Sequence, residues 1–386
     1  MENKKNLTYN PDIIDDPIVI QRETPVKNND SDIIEINDIR NNQDFKGISF
    51  SNFKKQDVKQ RLLDNIHNQE IEPACYWCAE LICSGHFGEL WELLITYISK
   101  HIHIGNPKII IYLEMRYNTF RNIMNQDCIL SDLEARNNEK IRKLFAEIIC
   151  TISTSVKKPG FEQIKIKSSN EFDMTRLSSK LKAPNDQYIK DIFKNKDPKE
   201  LFIAMNEFAF SLSNEGKNML NACYWIEWTL EFESICKKRK TLIKCYSRNY
   251  KVDSKYKTNA IWLIWDILLQ TKDNNKNDIV SKTINSLKKL FCIKYTEACG
   301  KRRRYLLYFA VAILTENISN SADLVIDRDL LYNVTSKIET IYKQIKKNEI
   351  APKTEYLFNG INKKKAIERS LKQLEIVNTI VDNENS

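Results

Sequence analysis

The feature that most narrows the possible folds is a shortage: 386 residues hold only 8 glycines and 9 prolines. Together these are fewer than half the usual share of about 12%. Chains built from many short strands need such residues at their reversals, because tight turns favour positive or fixed φ. A chain poor in both has few reversals and long elements between them. The apolar residues supply the matching period. Leu90, Trp91, Leu94, Ile95 and Ile98 recur at three- and four-residue spacing, which lines one face of a helix. Alternation of Val, Ile and Thr is scarce. The expected fold class is all-α, an array of helical hairpins.

Periodicity and breakers predict helices over 59–66, 72–83, 88–103, 108–124 and 132–153. The second half predicts them over 186–194, 198–213, 218–240, 256–272, 275–292, 300–317, 328–347 and 363–381. Pro73 suits a first helical turn and Gly85 a helix end. The polar stretch 157–175 contains Pro159 and Gly160 and is expected to link two helical modules, 46–156 and 176–386. Within it, 161–166 has the pattern of a short strand. Residues 1–45 carry five basic and ten acidic side chains and no sustained period. Ordering them would cost roughly 1–2 kcal/mol per residue with little apolar area in return, so a disordered acidic tail is expected. The remainder, 46–386, has 55 basic and 41 acidic residues, a net +14 against +9 for the whole chain.

Composition excludes several classes. With 42% apolar and 29% charged residues, the chain as a whole is globular rather than disordered. Ten cysteines, mostly inside apolar runs such as those ending at Cys150 and Cys292, read as free thiols of a reducing compartment. The N-terminus lacks the apolar core of a secretory signal. The longest strongly apolar run, 305–314, is about half of what spans a bilayer. The expected location is therefore intracellular, with no membrane partner.

Two segments repeat. Ala74-Cys75-Tyr76-Trp77 recurs as Ala222-Cys223-Tyr224-Trp225, each early in an apolar helix, which suggests two related modules. The first copy opens a longer pattern: Ala74, Tyr76, Trp77, Ala79, Leu81 and Gly85, then Gly105, Asn106 and Pro107. Residues 72–108 in this respect resemble the C-terminal helical collar region of replication-associated recombination ATPases, the RarA and Werner-interacting family. That resemblance covers about a tenth of the chain and implies self-association or docking to a protein partner in DNA replication or recombination. It carries no ATPase activity here, because the sequence has no Gly-x-x-x-x-Gly-Lys-Ser/Thr loop; Gly300-Lys301 is followed by Arg302. In overall style the chain is also similar to an uncharacterised family of nucleocytoplasmic large DNA viruses. This second likeness implies a location in the host cytoplasm, viral factory or virion.

Catalytic chemistry finds little support. There is no Gly-x-Ser-x-Gly and no His-Glu-x-x-His, and all four histidines fall within 67–103. Glu227 and Glu231 are helical neighbours, as exposed acidic pairs often are. Cys75, Cys78, Cys83 and His86 have the ligand types of a zinc site, but they sit among Tyr76, Trp77, Leu81 and Ile82 on one helix. Structural zinc usually takes its Cys-x-x-Cys from a turn, so core packing is the better reading. No enzyme activity, cofactor or metal is expected.

The strongest signal is charge. Residues 236–257 carry Lys237, Lys238, Arg239, Lys240, Lys244, Arg248, Lys251, Lys255 and Lys257 against one acid, Asp253. Tyr246, Tyr250 and Tyr256 are interleaved. Cations neutralise phosphates and tyrosines stack on unpaired bases, so DNA or RNA backbone is the expected partner. Lys301, Arg302, Arg303 and Arg304 form a second cluster. If a helix begins at 300, they lie at its N-terminal end, where the dipole disfavours positive charge and gives them no local purpose. Lys363, Lys364 and Lys365 form a third. The function expected is a non-enzymatic, helical nucleic-acid-associated protein. The alternative is a viral structural or packaging protein that makes protein–protein contacts. The aromatic helices, with Trp228, Phe232 and the Trp262–Trp265 pair, are expected in the core or at a subunit interface.

Overall fold

The computed structural model describes residues 35–166, 171–172, 177–241, 243–273, 277–318, 323–350 and 371. Among them are thirteen α-helices and no β-strand beyond an isolated bridge between Ile48 and Lys54. The all-α expectation holds. The helices are α1 (Lys55–His67), α2 (Ile71–Cys83), α3 (Phe87–Tyr97), α4 (Lys108–Gln126), α5 (Asp132–Ala135) and α6 (Glu139–Thr154). After the irregular stretch that follows come α7 (Phe202–Leu212), α8 (Met219–Lys238), α9 (Ile261–Asp273) and α10 (Asp278–Cys292). The last three are α11 (Glu297–Arg302), α12 (Arg304–Thr315) and α13 (Arg328–Lys346).

With few glycines to mark boundaries, asparagine and aspartate do much of the capping. Asn138, Asn218 and Asp327 each accept the amide three residues on, at the starts of α6, α8 and α13, and Asn277 accepts the amide of Ile279 at the start of α10. Gly85 ends α2 in the left-handed region at φ 74°, and the amides of Gly85 and His86 fold back onto Ile82 and Leu81. Lys240 ends α8 the same way at φ 59°, with Thr241 N on Cys236 O. The two Ala-Cys-Tyr-Trp copies are also alike. Each begins at the fourth residue of its helix, and each Tyr-Trp pair meets edge to face at 5.2 Å and 5.1 Å.

The core takes in four of the tryptophans of the aromatic helices, while Tyr76, Trp77, Tyr224 and Phe232 are half-buried. Trp225, Trp262 and Trp265 are fully buried, while Trp77 is half-buried against Phe53 and Arg61. The apolar run 305–314 becomes α12, buried continuously from Leu306 to Leu314. An apolar surface on all sides requires neighbours on all sides. They come from α7, α8, α9 and α10, and from the π-helical turn Ile98–Ile102 that continues α3. A second junction packs α2, α6 and α13 together, and α4 lies on both α6 and α10.

Three expectations change. First, the division at 157–175 does not separate two modules. Helices from both sides interlock, and the described residues from Ile36 on form one compact unit. Residues 161–166 have no strand pairing. Second, the tail does not extend to 45. Ile36 and Phe45 are buried, Ile36 N donates to Asn137 Oδ1 at 2.9 Å, and Arg40 covers the Phe45 ring. Residues 1–34, the greater part of the expected tail, lie outside the described residues, as do Lys363–Lys365 and all of the helix expected over 363–381 except Leu371. Third, 186–194 forms turns rather than a helix. Side-chain oxygens intercept the amides that a helix would use: Gln187 N goes to Asn185, Tyr188 N to Asn206 and Lys194 N to Asp197.

Candidate polyanion-binding surface

The segment after α8 is extended. Cys245 N donates to Thr258 O at 2.8 Å and Arg248 N to Lys257 O at 3.2 Å, so 243–248 runs beside 257–258. Burial roughly alternates along it. Cys245, Arg248 and Tyr250 point inward, while Lys244, Tyr246 and Lys251 face solvent. What fixes this register is a buried ion-pair network. Arg248 makes two bonds to Asp197, at 2.9 and 2.8 Å, and its Nε reaches Asp266. Asp197 also accepts from the amides of Lys194 and Tyr246. Burial would push the Asp197 carboxyl up, but the Arg248 guanidinium and those two amides outweigh it and hold it below its ordinary value. Tyr250 donates to Asp266 at 2.8 Å and stacks on Trp262 with centroids 4.5 Å apart.

Arg248 and Tyr250 are therefore anchors. Expected to meet phosphate, they are buried and fully engaged, and they serve instead to hold the segment's other side chains outward. Lys237 is also engaged, in a surface pair with Glu297, and Lys255 lies over the Tyr256 ring at 4.8 Å. Lys238, Arg239, Lys240, Lys244 and Lys251 are exposed, Lys257 is half-exposed, and none of the six forms an ion pair with a described residue. Tyr246 is 45% exposed, which leaves a ring face for stacking. Nearby acids do not cancel the charge. Glu233 is turned in to the Ala260 amide and Glu297 holds Lys237, leaving Asp253 and, near Cys236, the exposed Glu200.

The second cluster is a correction. The helix begins at Glu297 rather than at 300, and Arg303 breaks it from α12. Lys301 and Arg302 thus close α11 at the end where positive charge is favoured. Arg303, 3% exposed, pairs with Glu92 at 2.6 Å and caps α10 through the carbonyls of Phe291 and Ile293 at 2.6 and 2.7 Å. Arg304 pairs with Glu227 at 2.6 Å, and Tyr308 donates to the same carboxylate. Lys301 lies 3.4 Å from Glu231, and Arg302 3.9 Å from Glu92. The four charges meet three carboxylates, so Arg303 and Arg304 are interior struts and not phosphate ligands.

The structure also adds cations that a linear reading passes over. Asp197 binds the extended segment, so the loop carrying Lys196 and Lys199, both exposed, lies alongside it. Their signal was the local run Lys194, Lys196 and Lys199 around a single Asp. Its position some fifty residues upstream hid the connection.

The cysteine group stays in the core. Cys75, Cys78 and Cys83 are buried where α2 meets α6 and α13, and burial pushes the Cys75 thiol up to about 12. His86 instead donates to Ile48 O at 3.0 Å. Among the described residues no three His, Cys, Asp or Glu side chains converge as metal ligands, and no helix is long and apolar enough to cross a membrane. No family model, curated protein or solved structure matches this chain.

Proposed function

We propose that the protein is a non-enzymatic, nucleic-acid-associated helical protein that holds single-stranded phosphate backbone along 238–257. The observation that carries the reading is the split within the basic residues. Six cations of this segment, five exposed and Lys257 half-exposed, have no carboxylate partner among the described residues, on a backbone fixed by Arg248 and Asp197. Unpaired cations release counterions when they meet phosphate, and Tyr246 adds a stacking surface. No base-reading geometry accompanies them, so affinity is expected to follow charge rather than sequence.

Fluorescence anisotropy with a labelled oligonucleotide across about 50 to 500 mM salt tests this. If all six cations engage a single strand, log affinity falls against log salt with a slope of roughly −4. A flat response contradicts the reading. A replication or recombination accessory role is the narrower form of the same proposal, and the resemblance of 72–108 to helical collars is its support.

A further inference from the structure

Runs of three or more consecutive cations occur at 237–240, 301–304 and 363–365, and only the first is followed directly by a Ser or Thr, Thr241. Thr241 is exposed, and its hydroxyl forms no hydrogen bond with a described residue. Its main chain is placed by the end of α8. Lys240, at φ 59°, turns the chain out of the helix, and the Thr241 amide donates to Cys236 O at 2.9 Å. Lys238, Arg239 and Lys240 directly before it are exposed and form no ion pair with a described residue.

That combination does not recur elsewhere in the basic stretches. Tyr305 follows the second run, but it is half-buried with the Lys100 ammonium over its ring. Arg303 and Arg304 before it are held by Glu92 and Glu227. Ser247 has one cation in the three positions before it, Lys244, and Ser254 has Lys251 there offset by Asp253. An enzyme that selects a hydroxyl by preceding cations reads them with carboxylates, which a guanidinium meets through two parallel bonds. It therefore needs cations without partners and a main chain that can be drawn out. An exposed last helical turn is among the least costly parts of a fold to open.

We propose that Thr241 is a phosphorylation site for a basophilic Ser/Thr kinase, and that the phosphate weakens the polyanion surface around it. The Thr241 hydroxyl oxygen bonds to the γ-phosphorus of ATP as the bond from that phosphorus to its bridging oxygen breaks. ADP leaves, and the hydroxyl proton passes to the kinase's carboxylate base. The product carries about −1.5 to −2 charges beside Lys238, Arg239 and Lys240, so it occupies cations that would otherwise meet a polyphosphate. The modification stands on the chemistry of Thr241 alone, while its effect rests on the phosphate-binding reading of 238–257.

The test treats the full chain with ATP, Mg2+ and the catalytic subunit of cyclic-AMP-dependent protein kinase, with the acid-directed casein kinase 2 run in parallel. Peptide mass spectrometry locates the phosphate. Thr241 is expected to be modified ahead of every other hydroxyl by the first enzyme and left unmodified by the second. Arg239→Ala should slow the transfer about tenfold. The phosphorylated chain should leave heparin at lower salt and hold single-stranded DNA about tenfold more weakly, with a salt slope shallower by roughly 1. Thr241→Val should accept no phosphate there and elute with the untreated chain. Phosphate on other hydroxyls with Thr241 unmodified would overturn the assignment, as would equal transfer by both kinases. A phosphorylated chain that elutes with the parent would overturn the effect on the surface. Failure of the untreated chain to hold DNA would contradict the proposed function, whereas the phosphate at Thr241 and the heparin shift are read without DNA.

Discussion

Between Lys238 and Lys257 all the cations but Arg248 face solvent fully or in part, whereas between Lys301 and Arg304 all four meet carboxylates and Arg303 is buried. The difference lies in what the fold brings opposite each stretch. Arg303 finds Glu92 from 211 positions away, and Arg304 finds Glu227 from 77. The 238–257 segment meets Asp197 and Asp266, and Arg248 is the one cation in it that pairs with them. Charge density along a chain therefore does not distinguish a ligand surface from an internal tie. Arg248 makes the same point inside the exposed stretch, being the one arginine there that behaves like Arg303.

The sharpest way to break this comparison is to remove the ties. Arg303→Ala leaves two carbonyls without their donor and Glu92 with only Arg302 at 3.9 Å, and Arg248→Ala leaves Asp197 its two amides but no cation. Each is expected to cost about 3–5 kcal/mol, read as a lower urea midpoint. Little change would mean that these arginines are not struts. The next effect is pH-dependent. Burial pulls His103 down to about 4, so the folded state takes up its proton later than the unfolded state. Its contribution is complete above about 6.5 and is lost as pH falls, reaching about 3 kcal/mol by pH 4. Thermal melts should show that decline, and His103→Leu should flatten it. The depressed Asp197 carboxyl acts in a separate window: its contribution persists to about pH 4 and is lost only below it. The smallest effect concerns Lys240. Its left-handed backbone costs about 1 kcal/mol that glycine would not, so Lys240→Gly should raise the midpoint slightly while removing one cation.

Much of the architecture was legible because it is local. The run 305–314 is apolar on every side and becomes the central helix. Gly85 ends α2 where a left-handed residue was needed, and both Ala-Cys-Tyr-Trp copies occupy equivalent helical positions. What escaped depends on contacts between distant residues. The loop 186–194 has helical composition, yet Asn206 and Asp197 take its amides. Residues 36–45 look polar, but Ile36 and Phe45 find pockets on the body. Placing the helix start at 300 rather than 297 reversed the electrostatic meaning of Lys301 and Arg302, which close α11, while Arg303 and Arg304 sit at the start of α12 and are held by Glu92 and Glu227. For the candidate surface, the basic residues were legible and their availability was not, since that depends on where Asp197, Glu92 and Glu227 fall.

The comparison between the two basic stretches comes down to one titration. Lys238, Arg239, Lys240 and Lys244 are changed together to alanine, and single-stranded DNA affinity is measured against salt beside the parent chain. All four are exposed and form no ion pair with a described residue, so the urea midpoint should not fall, while affinity drops and the salt slope shrinks by roughly 3. An unchanged slope in a folded variant would contradict the account and leave the exposed segment without a phosphate-binding role.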